Sequence, residues 1–141
     1  MREVGMLITK KGFSLTTIFG EPAMVNFPVE YAMEIQRKFP GLIRRMVHTH
    51  PAGCNWMSEE DRTTLKAWTM AFAPYPITME VICQTGKDFF RRLYWYELEP
   101  LEKWLKGDKK NPREFKLLEA DASDTKQPDW VKEILKFSYE T

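Results

Sequence analysis

The chain has only two histidines, and both belong to a short pattern in which His48 and His50 are followed by Ser58 and Asp61. Residues i and i+2 of a β-strand point to the same face of a sheet, so both imidazoles can bind one ion. Imidazole is a common zinc ligand, and a carboxylate as third ligand leaves the fourth coordination position open for water, which is typical of hydrolytic sites. The pattern therefore predicts a strand that ends near His50, a loop, and a helix that begins at Ser58.

Length, charge and cysteine content limit the classes of protein that could carry this site. A chain of 141 residues is long enough for one domain with a hydrophobic core and short for two. The net charge of +1 gives no electrostatic basis for a nucleic-acid or membrane partner. Two cysteines, Cys54 and Cys83, are too few for a disulfide framework. Because the sequence shows neither an apolar run of about 18 residues nor a secretory signal pattern, we expect a cytoplasmic protein.

Hydrophobic spacing predicts that strands and helices alternate, which is typical of a mixed α/β layered domain. Strands are predicted over residues 4–9, 13–19, 42–49, 77–84 and 89–97, with a short edge strand over 115–118. The strand over 89–97 interleaves basic and aromatic residues, as single-strand nucleic-acid platforms do, but in a neutral chain one buried face is the better interpretation. A loop is expected over 106–112 and a polar, mobile segment over 120–128.

Three helices are predicted from apolar faces at helical spacing. The first follows Pro28 and has the apolar face Val29, Ala32, Met33, Gln36 and Phe39. The second runs from Ser58 to about Phe72 and buries Leu65, Trp68 and Phe72. The last is capped by Asp129 and turns Trp130, Ile134 and Phe137 inward.

The segment His48-Thr49-His50-Pro51, with Ser58 and Asp61 after it, resembles the signature of the JAMM (MPN-plus) zinc metalloproteases. That signature reads His, Ser or Thr, His, seven residues, Ser, two residues, Asp, and every fixed position is filled here. The family also has an upstream glutamate at the start of an early strand, and Glu3 fits that position. The resemblance implies a prokaryotic-type JAB domain, with a mixed β-sheet flanked by helices in a cytidine-deaminase-like layout. We expect one domain over 1–141, with a motif-bearing core over about 1–97 and a C-terminal extension over 98–141.

One departure from the family pattern concerns the N-terminal side of Glu3, where family domains usually have a helix. A catalytic base has to be held tightly, and a residue on a frayed terminus is not. We therefore expect that another part of the chain, such as the last helix, or a partner subunit packs against this segment.

The resemblance implies specific roles for the motif residues. Zinc would be bound by His48, His50 and Asp61, with Glu3 as general base and Ser58 as a hydrogen-bond donor to the oxyanion. The implied reaction is hydrolysis of an isopeptide or peptide bond after the C-terminal tail of ubiquitin or a ubiquitin-like protein. Ubiquitin-activating or conjugating-like enzymes would be further partners. Two other classes stay open: a metallopeptidase for phage-tail or cell-wall peptides, and a non-catalytic MPN scaffold.

Several of these residues also have simpler interpretations. The histidines could be ordinary polar residues at a strand end, and Ser58 with Asp61 also matches a helix-capping box. Three other glutamates could replace Glu3 as the base: Glu21, Glu30 and Glu34.

The loop between the two halves of the motif contains three side chains of interest. Trp56 and Met57 are candidates for lining a substrate groove, and the alternative is that they attach the loop to the core. Cys54 could touch the metal or sense oxidation, although a thiol in a loop usually does neither.

Overall fold

The fold is taken from a computed structural model that describes residues 2–20, 25–51, 53–54, 56–97, 116–122 and 127–139. Six strands and three helices lie within these residues. In chain order they are β1 (Val4–Thr9), β2 (Ser14–Phe19), α1 (Val29–Lys38), β3 (Ile43–Thr49), α2 (Glu59–Phe72), β4 (Thr78–Thr85), β5 (Asp88–Tyr96), β6 (Leu117–Asp121) and α3 (Asp129–Tyr139). The predicted mixed α/β class is confirmed, whereas the loop predicted over 106–112 falls outside the described residues.

The strands form one mixed sheet in the order β2-β1-β3-β4-β5-β6. Only the central pair, β3 and β4, runs parallel, and each of the other neighbouring pairs is antiparallel. Gly12, with φ of 88°, allows the tight turn that joins β1 to β2, because a side chain would be strained at that backbone angle. Since β3 has a partner on both sides, residues at its carboxyl end lie in the middle of the sheet.

Helices cover both faces of the sheet and enclose two hydrophobic clusters. One cluster, between the sheet and helices α1 and α2, includes Leu7, Met46 and Trp68. The other, between the sheet and α3, includes Val47 and Ile134. Because side chains alternate along β3, Met46 and Val47 point to opposite faces, and His48 shares the face of Met46.

The start of α2 is defined by a capping box, as its sequence pattern predicts. The Ser58 hydroxyl accepts a hydrogen bond from the Asp61 backbone N–H at 3.1 Å, and the Asp61 carboxylate accepts from the Ser58 N–H at the same distance. Leu65, Trp68 and Phe72 are buried along one side of the helix, which confirms its predicted inner face. The cap therefore fixes where Asp61 lies relative to the end of β3.

Most of the apolar face predicted for α1 is wrong. Only Ala32 is buried, and Ile35 packs against the core. Val29, Met33 and Phe39 are exposed. The helix is short and packs against α2 and the central strand β3. Most of its surface, including several apolar side chains, stays in solvent.

The C-terminal part matches its predicted element types with shifted bounds. The edge strand is present as β6, but it continues through Ala120 and Asp121 into the segment expected to be mobile. In α3 the predicted inner residues Trp130 and Ile134 are buried, and Phe137 packs against the same cluster. No described helix has both the length and the apolar composition that crossing a membrane requires.

Candidate metal centre

The end of β3 brings the two histidine rings together under the cover of α1 and α2. Only 1% of the His48 surface and 5% of the His50 surface is exposed. The ring centroids are 4.5 Å apart and the ring planes meet at 68°. The same-face placement that the i, i+2 spacing predicts is therefore present in the fold.

Asp61 faces both histidines from the first turn of α2. Its Oδ1 lies 3.4 Å from His48 Nε2, and its Oδ2 lies 3.0 Å from His50 Nε2. Burial acts to raise the pKa of Asp61, but the His50 hydrogen bond, the His48 charge and the Ser58 N–H outweigh it and lower the pKa to about 2. The carboxylate is therefore ionised at neutral pH and directed at two imidazole Nε2 atoms.

Glu3 reaches the same place from the residue before β1. The antiparallel pairing of β1 and β3 sets Gly5 opposite His48, and the Glu3 Oε1 lies 3.6 Å from His48 Nδ1. Ligand atoms of Glu3, His48 and His50 all lie within 4.8 Å of one another. Glu3 is therefore close enough to the histidines to act either as a metal ligand or as a base beside them.

The alternative bases are placed less favourably. Glu21 lies outside the described residues. Glu30 is exposed on α1. Glu34 is paired with Arg37 at 2.6 Å on the solvent side of that helix.

The two ring nitrogens of His48 indicate whether a metal ion fits this site. Its Nδ1 and Nε2 are both buried, and neither makes a hydrogen bond. Buried polar atoms nearly always have a partner, and leaving one without costs about 1–3 kcal/mol. A cation bound by one of these nitrogens and by carboxylate oxygen would supply an interaction that this nitrogen lacks, and such a mixed nitrogen and oxygen donor set suits zinc and related divalent ions. The residues present therefore fit a divalent metal ion.

The candidate ligands border a cavity of about 520 Å³ that also contains Ser58 and Cys54. One wall is aromatic, because the Phe27 ring packs edge-on against both His48 and Trp68 with centroids 6.0 Å apart. A Cβ at Gly5 would lie 3.1 Å from the Phe27 ring, so the absence of a side chain there lets Phe27 approach the sheet. A cavity with an apolar wall and a few convergent polar groups is typical of ligand-binding sites.

The three loop side chains singled out in the sequence differ in their burial and in whether they line the cavity. The side chain of Trp56 is exposed to 59%, and Met57 belongs to the hydrophobic core. Neither lines the cavity, so their contribution to substrate binding stays a prediction. Cys54 does line it, with Sγ 3.7 Å from His50 Nδ1.

The last turn of α3 packs against the segment that carries Glu3, as expected for this helix. The Arg2 N–H donates to the Ser138 carbonyl at 3.2 Å, and the Ser138 hydroxyl lies 2.5 Å from the Arg2 carbonyl. The same hydroxyl lies 2.8 Å from the Thr49 hydroxyl, which accepts a hydrogen bond from the Val4 N–H. Ser138 thus joins the start of β1 to the end of β3.

Tyr139 is a site-supporting residue that the motif did not indicate. Its hydroxyl donates to the backbone carbonyl of His50 and accepts from the Gln84 N–H at 3.3 Å. Burial raises the pKa of Tyr139 to about 12, so the phenol stays protonated and remains a donor at neutral pH. The only signal in the sequence was the predicted packing of the last helix near Glu3.

Neither a protein-family model nor a curated protein sequence matches this chain. An interpretation of its function therefore depends on the motif and on the geometry of the side chains around it.

Proposed function

We propose that this protein is a JAMM-type zinc hydrolase of JAB/MPN layout, which cleaves an isopeptide or peptide bond after the C-terminal tail of ubiquitin or a ubiquitin-like protein. The observation that carries the proposal is the convergence of Glu3, His48, His50 and Asp61 on one cavity, with both nitrogens of buried His48 lacking a hydrogen bond. The family signature and its upstream glutamate thus meet in space, although they are far apart in the chain.

Three side chains would hold the metal ion. His48, His50 and Asp61 present their nitrogen and oxygen atoms to one another across 3.0–3.4 Å, and Asp61 is anionic. When bound, zinc supplies the Lewis acidity that lets water attack a carbonyl near neutral pH.

Glu3 is assigned the proton transfers. Its buried carboxylate lies beside His48, and it would accept a proton from the attacking water and return it to the leaving amine. The packing of Ser138 against Arg2 holds the adjacent backbone, which supplies the positioning that a general base needs.

Ser58 is assigned stabilisation of the oxyanion. Its oxygen accepts the Asp61 N–H, which leaves its own O–H free to donate into the cavity that it lines. One such donor contributes about 2.7–4 kcal/mol to transition-state stabilisation.

The family resemblance and the shape of the site support this substrate class. A flexible tail ending in glycine could approach the metal ligands closely, because glycine has no side chain to meet the Phe27 wall. An extended tail could also pair with β2, which is an edge strand among the strands that the structure describes. Ubiquitin-activating or conjugating-like enzymes would be the further partners of such an enzyme.

The test compares Glu3→Gln with Glu30→Gln, an exposed glutamate on α1 that serves as the matched control. Zinc-loaded wild type and Glu30→Gln should cleave ubiquitin-like fusions that carry glycine before the scissile bond. Glu3→Gln should keep its zinc and lose about 10²–10⁴-fold in turnover, because glutamine cannot take the proton. Full activity in Glu3→Gln would remove Glu3 as the base.

Two other outcomes would replace the proposed substrate class. Cleavage of cell-wall or phage-tail peptides alone, or indifference to bulky residues in place of the glycine, would favour a general metallopeptidase. Zinc binding without any hydrolysis across the panel would favour the scaffold alternative.

A further inference from the structure

Thr49, the residue between the two histidines, points away from the candidate metal centre. Side chains alternate along β3, so its hydroxyl lies on the α3 face of the sheet, opposite the imidazoles. The residue is fully buried, and its hydroxyl accepts a hydrogen bond from the Val4 N–H at 2.9 Å. The paired residues of β1 and β3 end at Gly5 and His48. The Thr49 side chain therefore holds β1 one residue beyond the end of the strand pairing.

Ser138 continues this contact to the other side of Glu3. Its hydroxyl is also buried, and it lies 2.8 Å from the Thr49 hydroxyl and 2.5 Å from the Arg2 carbonyl. Ser138 has one hydroxyl hydrogen and a carbonyl can only accept, so that hydrogen belongs to the bond with Arg2. The Thr49 hydroxyl then donates to Ser138 Oγ. Two hydroxyl groups thus connect the Val4 N–H to the Arg2 carbonyl through one chain of hydrogen bonds.

Glu3 lies between the two peptide groups that this chain of hydrogen bonds connects. The Arg2 carbonyl belongs to the peptide bond before Glu3, and the Val4 N–H belongs to the peptide bond after it. The Glu3 carbonyl also accepts from the Gly20 N–H at 2.9 Å. Because peptide groups are planar, fixing the plane on each side of a residue fixes its φ and ψ, and with them the direction of its Cα–Cβ bond. The two hydroxyls therefore restrict where the Glu3 carboxylate can lie, which is 3.6 Å from His48 Nδ1.

We infer that Thr49 is a positioning residue for Glu3, which it orients through the Ser138 hydroxyl and the peptide groups on both sides of Glu3. This inference rests on the proposed function, in which Glu3 is the general base. A base has to lie within hydrogen-bond distance of the proton that it takes, and a displacement of about 1 Å can cost about 10²-fold in rate. The carboxyl end of β3 thus presents metal ligands on one face and, on the other, the hydroxyl that orients the base.

The test uses Thr49→Val, which keeps the shape of the side chain and removes the hydroxyl. Turnover of zinc-loaded protein on a ubiquitin-like fusion should fall by about 10–100-fold, with zinc content and the Michaelis constant near wild type, because a displaced base impairs chemistry and not binding. Thr49→Ser keeps the hydroxyl and should retain most of the turnover.

The matched control is Thr69→Val, which removes another buried threonine hydroxyl. That hydroxyl donates to the Leu65 carbonyl at 2.7 Å within α2, away from Glu3. Its removal should change turnover by less than about twofold, because it alters neither binding nor the base.

Two further measurements separate an action through Glu3 from a general loss of stability. In metal-free protein, NMR should show amide hydrogen exchange at Val4 that is about tenfold or more faster in Thr49→Val than in wild type, because the N–H loses its acceptor. In Glu3→Gln protein, adding Thr49→Val should lower turnover by less than about threefold, because effects that act through one residue do not add. Ser138→Ala interrupts the same chain of hydrogen bonds from α3 and should also lower turnover, which provides a second test if Thr49→Val does not fold.

Several results would overturn the inference. An equal loss of turnover in Thr69→Val would reduce the effect to stability, and loss of zinc from Thr49→Val would assign Thr49 to the histidine ligands instead of Glu3. A full additional loss in the Glu3→Gln background would exclude an action through Glu3. Absence of hydrolysis by wild-type protein would remove the proposed function and this role with it, whereas wild-type turnover that is unchanged in Thr49→Val would remove this role alone. Thermal melting of each variant checks that it is folded.

Discussion

The two ends of β3 differ in the charge of the side chains that surround them, and these two groups of side chains lie on opposite faces of the sheet. At the carboxyl end, His48 and His50 meet the carboxylates of Glu3 and Asp61, and the buried nitrogens of His48 have no hydrogen bond. Near the other end, two arginines share the buried carboxylate of Glu80. The first end holds buried ring nitrogens without a hydrogen bond, whereas at the second end the guanidinium groups are bonded to a buried carboxylate.

The two ends also differ in how completely the protein satisfies its own buried groups. Glu80 accepts three hydrogen bonds from guanidinium groups, at 2.6, 2.8 and 3.2 Å. The ring nitrogens of His48 make none. A satisfied buried ion pair supports the fold, whereas a buried polar atom without a partner needs an explanation outside the fold, such as a bound ion. Four experiments can sharpen or break this comparison.

The largest effect is expected at the histidine end. Wild-type protein should carry about one zinc ion per chain, and His48→Ala/His50→Ala should carry none, because two of the three proposed ligands are removed. Elemental analysis after removal of free metal measures this. Equal zinc content in the two proteins would contradict the metal centre.

At the arginine end, Glu80→Gln should lower the free energy of unfolding by about 3–5 kcal/mol, because it leaves buried guanidinium charge without a counter-charge. The matched control is Glu119→Gln, which removes the exposed partner of Arg92 and should cost less than about 1 kcal/mol. Urea unfolding of both variants gives the comparison. Similar small losses in both would show that Glu80 is not needed to hold the pair of arginines.

Substitutions at Ser58 test whether its role as a helix cap can be separated from its proposed role in catalysis. Ser58→Ala should lower turnover by about 10²–10³-fold if the hydroxyl donates to the oxyanion. Ser58→Asn keeps a cap but has no hydroxyl, so its stability should be near wild type while its turnover stays low. Turnover unchanged in Ser58→Ala, with a loss of about 1 kcal/mol in stability, would leave Ser58 as a cap alone.

The smallest effect is expected at Tyr139, which contacts the backbone of a ligand rather than the metal. Tyr139→Phe removes the donor to the His50 carbonyl and should weaken zinc affinity by about 10–100-fold, as loss of groups that orient metal ligands does. Competition with a chelator measures the affinity. Tyr31→Phe, an exposed tyrosine on α1, is the control, and an equal affinity in both variants would show that Tyr139 does not position His50.

Much of the local structure could be predicted, because it depends on residues close together in the chain. A short apolar run marked β1, and the buried spacing of Leu65, Trp68 and Phe72 marked α2. The prediction failed for the exposed surface of α1, where periodicity shows which residues are apolar but not which of them the sheet covers. The bounds of β6 also shifted, since strand ends depend on pairing with β5.

The sequence by itself determined the half of the candidate centre that local spacing controls. The i, i+2 histidines share a face because strands have a period of two, and the capping box of Ser58 with Asp61 sets the helix start beside them.

Only the tertiary structure decided the rest of the candidate centre. The approach of Glu3 to His48 requires the pairing of β1 with β3, and the support from Ser138 and Tyr139 comes from the far end of the chain. The arginine pair around Glu80 likewise exists only because β3, β4 and β5 lie side by side. Contacts of this kind depend on strand order and register, which local periodicity does not specify.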